Sequence, residues 1–203
     1  VERPEAVPGL AVARGALPPA KRRRLEAFAD AALLTAACAG AERPDQAMRF
    51  GVDVPWRIRA AARRCARLPG LLPRRVRRRA PLFDQLIVNA YRRGQGIARH
   101  IDLLKFDDAI LGVCLGSADA TLRFRRIREG VEVQPGGECS LREEDLDPGA
   151  VDVALRAGDV YALCGEARYR WTHEIPAESL RGGDRRLSFT LRRLMPDAWR
   201  GPA

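Results

Sequence analysis

The chain has 203 residues, a length that suits one domain with a full-sized hydrophobic core. Its five cysteines include no Cys-x-x-Cys pair, which argues against a disulfide framework or a zinc cluster and favours a reducing compartment. The net charge of +10 comes with 34 arginines and two lysines and predicts a phosphate-bearing partner, although arginine-rich codon usage or an acidic protein partner would also account for it.

The first third of the chain has helical patterns. Apolar residues at helical spacing predict a helix over residues 18–40, with prolines at its start and Gly40 at its end. A second helix is predicted over residues 55–68, before the break at Pro69-Gly70. The run of charge over residues 74–79 is either a solvated loop or helix edge, or a contact for phosphate.

After Pro81 the pattern changes to short alternating segments. Leu86, Val88 and Ala90 share one face of a predicted strand, and a turn at Gly94 and Gly96 follows. Further strands are predicted over residues 110–115, 120–126, 151–155, 159–164, 169–175 and 186–193. The polar interval 129–149 predicts a long hairpin insertion or a mobile loop. Together these elements predict an α+β fold, a single domain over residues 1–203 with helical support in 1–80 and a jelly-roll core in 81–195.

The only two histidines fit a metal site. His100 and Asp102 are two positions apart, so on a strand both side chains would point to the same face. His173, delivered from another strand, would complete two nitrogens and one carboxylate oxygen, the ligand set of non-haem Fe(II) oxygenases. The alternative is that both histidines are ordinary surface or core residues.

The last predicted strand has two chemically different faces. Leu187, Phe189 and Leu191 fall on one side, where they would enter a hydrophobic layer. The opposite side carries two guanidiniums and two hydroxyls: Arg186, Ser188, Thr190 and Arg192. Such a face suits a pocket for a dicarboxylic acid, because arginine binds a carboxylate through two parallel hydrogen bonds. An exposed strand face dotted with arginines is the alternative.

Taken in chain order, these motifs resemble a known family. The motifs are Asn89-x-Tyr91, His100-x-Asp102, His173 and Arg186-x-Ser188-x-Thr190-x-Arg192. Their order and spacing resemble the AlkB-like 2-oxoglutarate- and Fe(II)-dependent dioxygenases over residues 83–193. Residues 45–51 resemble, more weakly, the nucleotide-recognition lid of that family. The resemblance implies a double-stranded β-helix core with N-terminal supporting helices.

The resemblance also implies a role for each motif residue. Three would bind Fe(II): His100, Asp102 and His173. Five would hold 2-oxoglutarate, with Arg186 and Tyr91 at its distal carboxylate and Asn89, Ser188 and Arg192 near its keto-acid end. With O2 as the second co-substrate, the products would be succinate, CO2 and a hydroxylated substrate, and a hydroxylated N-methyl group would leave as formaldehyde.

The substrate implied by the resemblance is a modified base in nucleic acid, demethylated or hydroxylated, with RNA favoured over DNA. Met48, Arg49 and Phe50 could flank its pocket, and Phe50 could stack on a flipped base; equally, Met48 and Phe50 could cap the core. Leu104 stands where the DNA-repair members carry an acidic residue, so their specificity for 1-methyladenine or 3-methylcytosine is not expected. The 94–97 turn and the 168–173 segment are closer to the branch that hydroxylates wobble uridines in tRNA.

Other functions remain open. A methyl-lysine demethylase of the same family is one alternative, and a catalytically silent nucleic-acid-binding module is another. The expected protein is a monomer without a membrane span or a signal peptide, in the cytoplasm or nucleus.

Several other residues are predicted to have structural roles. Trp56 and Trp171 are predicted to lie in the core, and Tyr161 and Cys164 in barrel packing. Asp107 and Asp108 are predicted loop residues, with a hydrogen bond to a metal ligand as the alternative.

Overall fold

The structure is a computed structural model, and it describes residues 1–34, 46–133 and 141–195. Within these ranges ten strands form two antiparallel sheets. The strands are β1 Leu10–Ala13, β2 Gln46–Phe50, β3 Gln85–Arg92, β4 Ile97–His100, β5 Ile110–Gly116, β6 Ala120–Arg126, β7 Val151–Leu155, β8 Val160–Leu163, β9 Trp171–Ile175 and β10 Arg185–Arg192. The major sheet has the order β1-β8-β5-β10-β3-β2, and the minor sheet has the order β4-β9-β6-β7.

Four α-helices accompany the sheets in the described residues. They are α1 Pro19–Ala29, α2 Trp56–Ala66, α3 Arg74–Arg77 and α4 Glu166–Tyr169. Prolines stand at the starts of α1, α2 and α3, where the missing N–H costs no hydrogen bond. The predicted helix 18–40 ends earlier as an α-helix, because a π-helical turn, Asp30–Leu34, follows α1; residues 35–40 lie outside the described ranges.

Alternation along the strands divides the core into two layers. One layer lies between the sheets and includes Ile110, Phe124 and Leu163. The other lies on the outer face of the major sheet, where Val88 and Phe189 pack against the helices. The helices therefore cover the outer face of the major sheet. The polar faces of β3 and β10 point into the space between the two sheets. These observations confirm the predicted α+β fold with a jelly-roll core.

Some predicted elements differ from the observed ones. The strand that carries His100 ends at that residue, so Asp102 follows β4 in an irregular segment and does not share the strand's alternation. The predicted strand 169–175 begins later, because Glu166–Tyr169 forms a helical turn before β9. Two strands, β1 and β2, fall in the region predicted as helical support and join opposite edges of the major sheet.

The two tryptophans lie in different environments. Trp171 is buried, with 8% of its surface exposed, as predicted. The core prediction for Trp56 was wrong, since 68% of its surface is exposed at the first position of α2. Instead, α2 buries small side chains one and two turns after Trp56, and its Ile58 and Cys65 side chains face the sheet. A tryptophan at a helix start projects past the end of that buried stripe.

The charge run over residues 74–79 and the polar interval 129–149 both contact neighbouring segments. Arg79 donates a hydrogen bond to Asp107 at 3.1 Å, and Arg75 forms an ion pair with Asp108. Asp107 and Asp108 are therefore loop residues, as predicted, whose partners are arginines of the run. In the described part of the 129–149 interval, Leu146 packs on Ile127 and Ile101. Residues 134–140 of that interval lie outside the described ranges.

The described cysteines, Cys65, Cys114 and Cys164, are free and buried, and burial raises the pKa of the Cys65 thiol to about 11. Cys38 and Cys139 fall outside the described residues. Tyr161 and Cys164 are buried core residues, as predicted. None of the helices in the described ranges has the length and apolar character that crossing a membrane requires.

Candidate active site

The three predicted metal ligands meet between the sheets. His100 on β4 is paired in register with His173 on β9, and their ring centroids are 4.3 Å apart. The Oδ2 atom of Asp102 lies 3.5 Å from Nε2 of His173. One ligand atom from each of the three residues lies within 4.8 Å of the others. The side chains therefore converge, although Asp102 reaches the site from beyond the strand and not by alternation along it.

The protonation of these groups suits a cation. Burial, reinforced by the neighbouring His100, lowers the pKa of His173 to about 3, so this imidazole is neutral at pH 7 and has a lone pair to offer. Burial alone would raise the pKa of Asp102, but His173 and Arg192 outweigh it, and the pKa falls below its usual value. Nδ1 of His100 lies 2.9 Å from the Ala98 carbonyl, which leaves Nε2 for a metal. Two neutral imidazoles and one carboxylate are the donor set that Fe(II) accepts.

The carboxylate of Asp102 is held from one side. Its Oδ1 accepts a hydrogen bond from Arg192 of β10, so Oδ2 is the oxygen that faces His173. Arg192 also donates through Nε to Oε1 of Gln85, at 2.5 Å, and Gln85 is 2% exposed. Arg192 is therefore a neighbour of the carboxylate ligand as well as a wall of the cavity.

A second arginine supports the segment that carries Asp102. Arg168 is 1% exposed and donates hydrogen bonds to the backbone carbonyls of Asp102, Leu103 and Phe106. Burial lowers the pKa of Arg168 below its ordinary value. Because a buried guanidinium binds three carbonyls in one short segment, it determines the path of the chain immediately after the strand. Arg168 begins the 168–173 segment, and no role was predicted for this residue.

The predicted 2-oxoglutarate residues line one cavity beside the triad. Its volume is about 80 Å³. The predicted residues on its wall are Asn89, Tyr91, Arg186, Ser188 and Arg192. Register explains the convergence, because Asn89 and Tyr91 on β3 pair directly with Ser188 and Arg186 on β10. The interpretation of this strand face as an exposed surface was therefore wrong.

The charge of Arg186 is not met by any carboxylate. Arg186 is 3% exposed, donates to Oγ of Ser188 at 2.9 Å and lies 5.8 Å from the ring of Tyr91. In the described residues no carboxylate lies within ion-pair distance of it, in contrast to Arg192. A buried cation without a counter-ion is costly, so this geometry favours an anion bound in the cavity.

Some cavity residues were not predicted. Tyr161 of β8 lies on the wall, with a fully buried phenol whose pKa is raised by that burial. Gly112 pairs with it across β5, and a Cβ at Gly112 would lie 2.1 Å from the tyrosine ring. Gln46 also lines the cavity and donates to Oδ1 of Asn89 at 2.6 Å. An alternating pattern from Gln46 onward could have indicated its strand.

None of the predicted substrate residues is among those that line the cavity. Met48 and Phe50 follow Gln46 at alternate positions of β2 and are exposed, at 46% and 37%, so they do not cap the core. Arg49 points to the other side, and its guanidinium binds the Met48 carbonyl. Leu104 is half-buried and is not among the residues that line the cavity. Asp45 of the predicted lid lies outside the described residues.

A comparison with protein families identifies the family to which this chain belongs. A family model described as the 2OG-Fe(II) oxygenase superfamily matches residues 42–192. The protein therefore belongs to the 2OG-Fe(II) oxygenase superfamily, whose members use Fe(II), 2-oxoglutarate and O2. Within that superfamily it is similar to curated proteins that carry the name ALKBH8.

Two curated relatives are similar over the β-rich part of the chain. An "Alkylated DNA repair protein ALKBH8 homolog" of Arabidopsis thaliana is 32% identical over 127 residues, 55% of this chain and 34% of the relative. The mouse "tRNA (carboxymethyluridine(34)-5-O)-methyltransferase ALKBH8" is 37% identical over 93 residues, 45% of this chain and 11% of the relative. The matches thus cover about a third or less of the length of these relatives.

Solved structures share the fold at low sequence identity. OsALKBH1 has a TM-score of 0.58 and 13% identity, covering 92% of this chain and 98% of that one. A prolyl-4-hydroxylase of Pseudomonas putida has a TM-score of 0.51 and 19% identity, covering 94% and 95%. At these identities the likeness concerns the fold alone.

Proposed function

We propose that this enzyme oxidises a modified base in nucleic acid, by demethylation or hydroxylation, with RNA ahead of DNA. In this proposal His100, Asp102 and His173 hold Fe(II), and Arg186 binds the distal carboxylate of 2-oxoglutarate. The observation that carries the assignment is the convergent triad beside a buried arginine that lacks a counter-ion. When bound, Fe(II) together with 2-oxoglutarate supplies the oxidant for a C–H bond, and the co-substrate becomes succinate and CO2.

The chain's own residues position the reactants. Ser188 and Tyr91 flank the Arg186 guanidinium on the floor of the cavity. Burial raises the pKa of the Tyr91 phenol, so at neutral pH its hydroxyl is protonated and can donate to a carboxylate. Arg192 keeps Oδ1 of Asp102 occupied, so a single oxygen faces the metal position and the remaining side of the site stays open.

The rim of the cavity supports a planar substrate. Met48 pairs with Ile87, a residue of the cavity wall, and Phe50 is two positions further along the same strand face. An exposed aromatic ring and a thioether at a cavity mouth can stack on a base that has been turned out of its helix. The mouse ALKBH8 relative is named as a tRNA-modifying enzyme, which supports RNA, whereas the Arabidopsis relative is named for the repair of alkylated DNA.

The two alternative functions require different features of the protein. A methyl-lysine demethylase would need an acidic protein partner to match the net charge of +10. A silent binding module would have no use for a buried arginine without a counter-ion in the same cavity as two imidazoles. A modified nucleic acid uses both the charge and the cavity.

One oxidation assay separates these candidates. The protein is loaded anaerobically with Fe(II) and 2-oxoglutarate, air is admitted, and succinate is followed with modified RNA, modified DNA or methyl-lysine peptide. We expect the modified RNA to stimulate succinate formation most, with the gain of an oxygen atom or the loss of a methyl group in its mass spectrum. Stimulation by the peptide alone would contradict the nucleic-acid proposal, and no succinate in any reaction would contradict the proposed sites.

A further prediction concerns Arg168, which binds the carbonyls after Asp102. Arg168→Lys retains the charge but cannot bind three carbonyls at once, so we expect Asp102 to lose its position. Fe(II) affinity, measured by anaerobic titration of the apoprotein, should fall by about ten- to a hundredfold, as is typical when an outer partner of a ligand is lost.

Arg170→Lys is the matched control for this variant. Arg170 also donates to three backbone carbonyls, those of Ile127, Arg128 and Val131, none of which belongs to a metal-site residue. Both variants should melt at a lower temperature than the parent. If Fe(II) affinity falls equally in both, Arg168 has only a structural role.

A further inference from the structure

The basic charge of this chain is concentrated in one segment. Residues 54–83 contain ten arginines and no aspartate or glutamate. This segment forms α2, the following turn and α3, all on the outer face of the major sheet. An arginine-rich genome would raise the number of arginines everywhere, but it would not remove the acids from one surface.

Ion pairing follows the same division. On the minor sheet, Arg99 and Arg125 both contact Glu143, and Arg123 binds both oxygens of Asp152. In the basic segment only Arg75 and Arg79 have acidic partners. The other eight arginines have no carboxylate within 4.0 Å among the residues that the structure describes. Their charge is therefore available to a partner molecule.

The free arginines are arranged in rows. The buried face of α2 consists of small and apolar side chains, so the charged residues are confined to its outer side. Arg59, Arg63 and Arg67 follow one another at four-residue intervals, about 6 Å apart along the helix axis. A row of guanidiniums matches a row of phosphates, because each guanidinium binds phosphate oxygens through parallel hydrogen bonds.

An exposed aromatic residue distinguishes nucleic acid from an acidic protein as the partner. Trp56 begins α2 with 68% of its surface exposed, and the Arg57 guanidinium lies 5.6 Å from its ring. Arginine and aromatic side chains together form stacking platforms for bases, whereas an acidic peptide has no use for the ring. Trp56 stands six residues after Phe50, beyond one short turn, Gly51–Asp53.

We propose that α2 and α3 form a docking surface for the phosphate backbone of a folded RNA. This arginine surface consists of Arg57, Arg59, Arg63, Arg64, Arg67, Arg74, Arg77 and Arg78. It lies on the side of the major sheet opposite to the cavity and binds phosphates outside the nucleotide that is oxidised. The inference takes its partner class from the proposed function, but backbone binding requires neither iron nor 2-oxoglutarate.

Salt-dependent binding tests this surface. The probe is a fluorescent, unmodified full-length tRNA transcript, and its anisotropy is measured in EDTA without 2-oxoglutarate at a series of salt concentrations. For Arg63→Gln/Arg67→Gln we expect affinity to fall about tenfold, and the slope of log affinity against log salt to become shallower by about 1.5, since each lost phosphate contact contributes about 0.7 to 0.9.

Arg128→Gln/Arg156→Gln is the matched control, because both arginines are exposed, lie outside the helices, have no carboxylate partner among the described residues and carry the same total charge. It should lower the slope by less than half as much. Equal changes in the two double variants would overturn the proposal, because they would show that net charge alone governs binding. Tighter binding of polyglutamate than of tRNA would also overturn it in favour of an acidic protein.

The tRNA-binding experiment and the oxidation assay can succeed or fail independently of each other. If tRNA binding depends on Arg63 and Arg67 but no RNA stimulates succinate formation, the docking surface is supported and the proposed function fails. If modified RNA is oxidised but its binding is indifferent to these two arginines, the proposed function is supported and the docking surface is overturned.

Discussion

Replacing His173 by alanine is expected to abolish Fe(II) binding and 2-oxoglutarate turnover. The substitution removes one of the two imidazoles and leaves His100 and Asp102 as a pair. The loss of Fe(II) affinity should exceed the roughly ten- to hundredfold effect of losing an outer partner, because a direct ligand is lost. Anaerobic Fe(II) titration and succinate formation in air measure the two effects.

Glu174→Gln is the control for this prediction. Glu174 is the next residue of β9, so its side chain projects from the other face of the strand. This variant should bind Fe(II) and form succinate like the parent. A His173→Ala protein that kept its affinity for Fe(II) would show that the metal lies elsewhere.

Arg186→Lys is expected to raise the Km for 2-oxoglutarate steeply. In the parent protein the Arg186 guanidinium is buried without a counter-ion. Lysine keeps the positive charge but lacks the paired donors of the guanidinium. Loss of a charge-assisted hydrogen bond costs about 2 to 3 kcal/mol, so Km should rise by roughly 30- to 150-fold. Succinate formation at increasing 2-oxoglutarate concentrations measures the change.

The adjacent residue provides the control. Arg185 lies on the opposite face of β10 and forms an ion pair with Asp30 at 2.7 Å. Arg185→Lys keeps that partly exposed pair, which contributes little to stability in any case. Its Km should match that of the parent. Equal Km values in the Arg186 and Arg185 variants would place the co-substrate in a different pocket.

Much of the site could be predicted because its residues lie on alternating strands. The face of β10 that carries Arg186 and Ser188 lines the cavity, as the period of two requires. The same rule placed Leu187 and Phe189 in the layer under the helices. The motif order led to the correct family for a related reason, since residues that bind one metal and one diacid must recur in a fixed order along the strands.

The errors arose where local periodicity does not determine position. Asp102 reaches the metal position from an irregular segment that Arg168 and Arg192 hold in place, and neither contact is local in sequence. Trp56 is exposed although tryptophan is usually well buried, because the helix that it begins buries smaller residues against the sheet. Both outcomes depend on which segments pack together.

The sequence by itself determined the predicted ligand types, the strand face predicted to bind a dicarboxylate and the excess of arginine, because composition and strand alternation are local properties. Only the tertiary structure showed that Arg186 is buried without a counter-ion while Arg192 is bound to Asp102. Only the tertiary structure showed that Arg99, Arg123 and Arg125 of the minor sheet are ion-paired, whereas eight of the ten arginines in residues 54–83 have no carboxylate partner among the described residues. The reason is physical: the electrostatic role of a charge depends on the groups around it in space, and those groups come from distant parts of the chain.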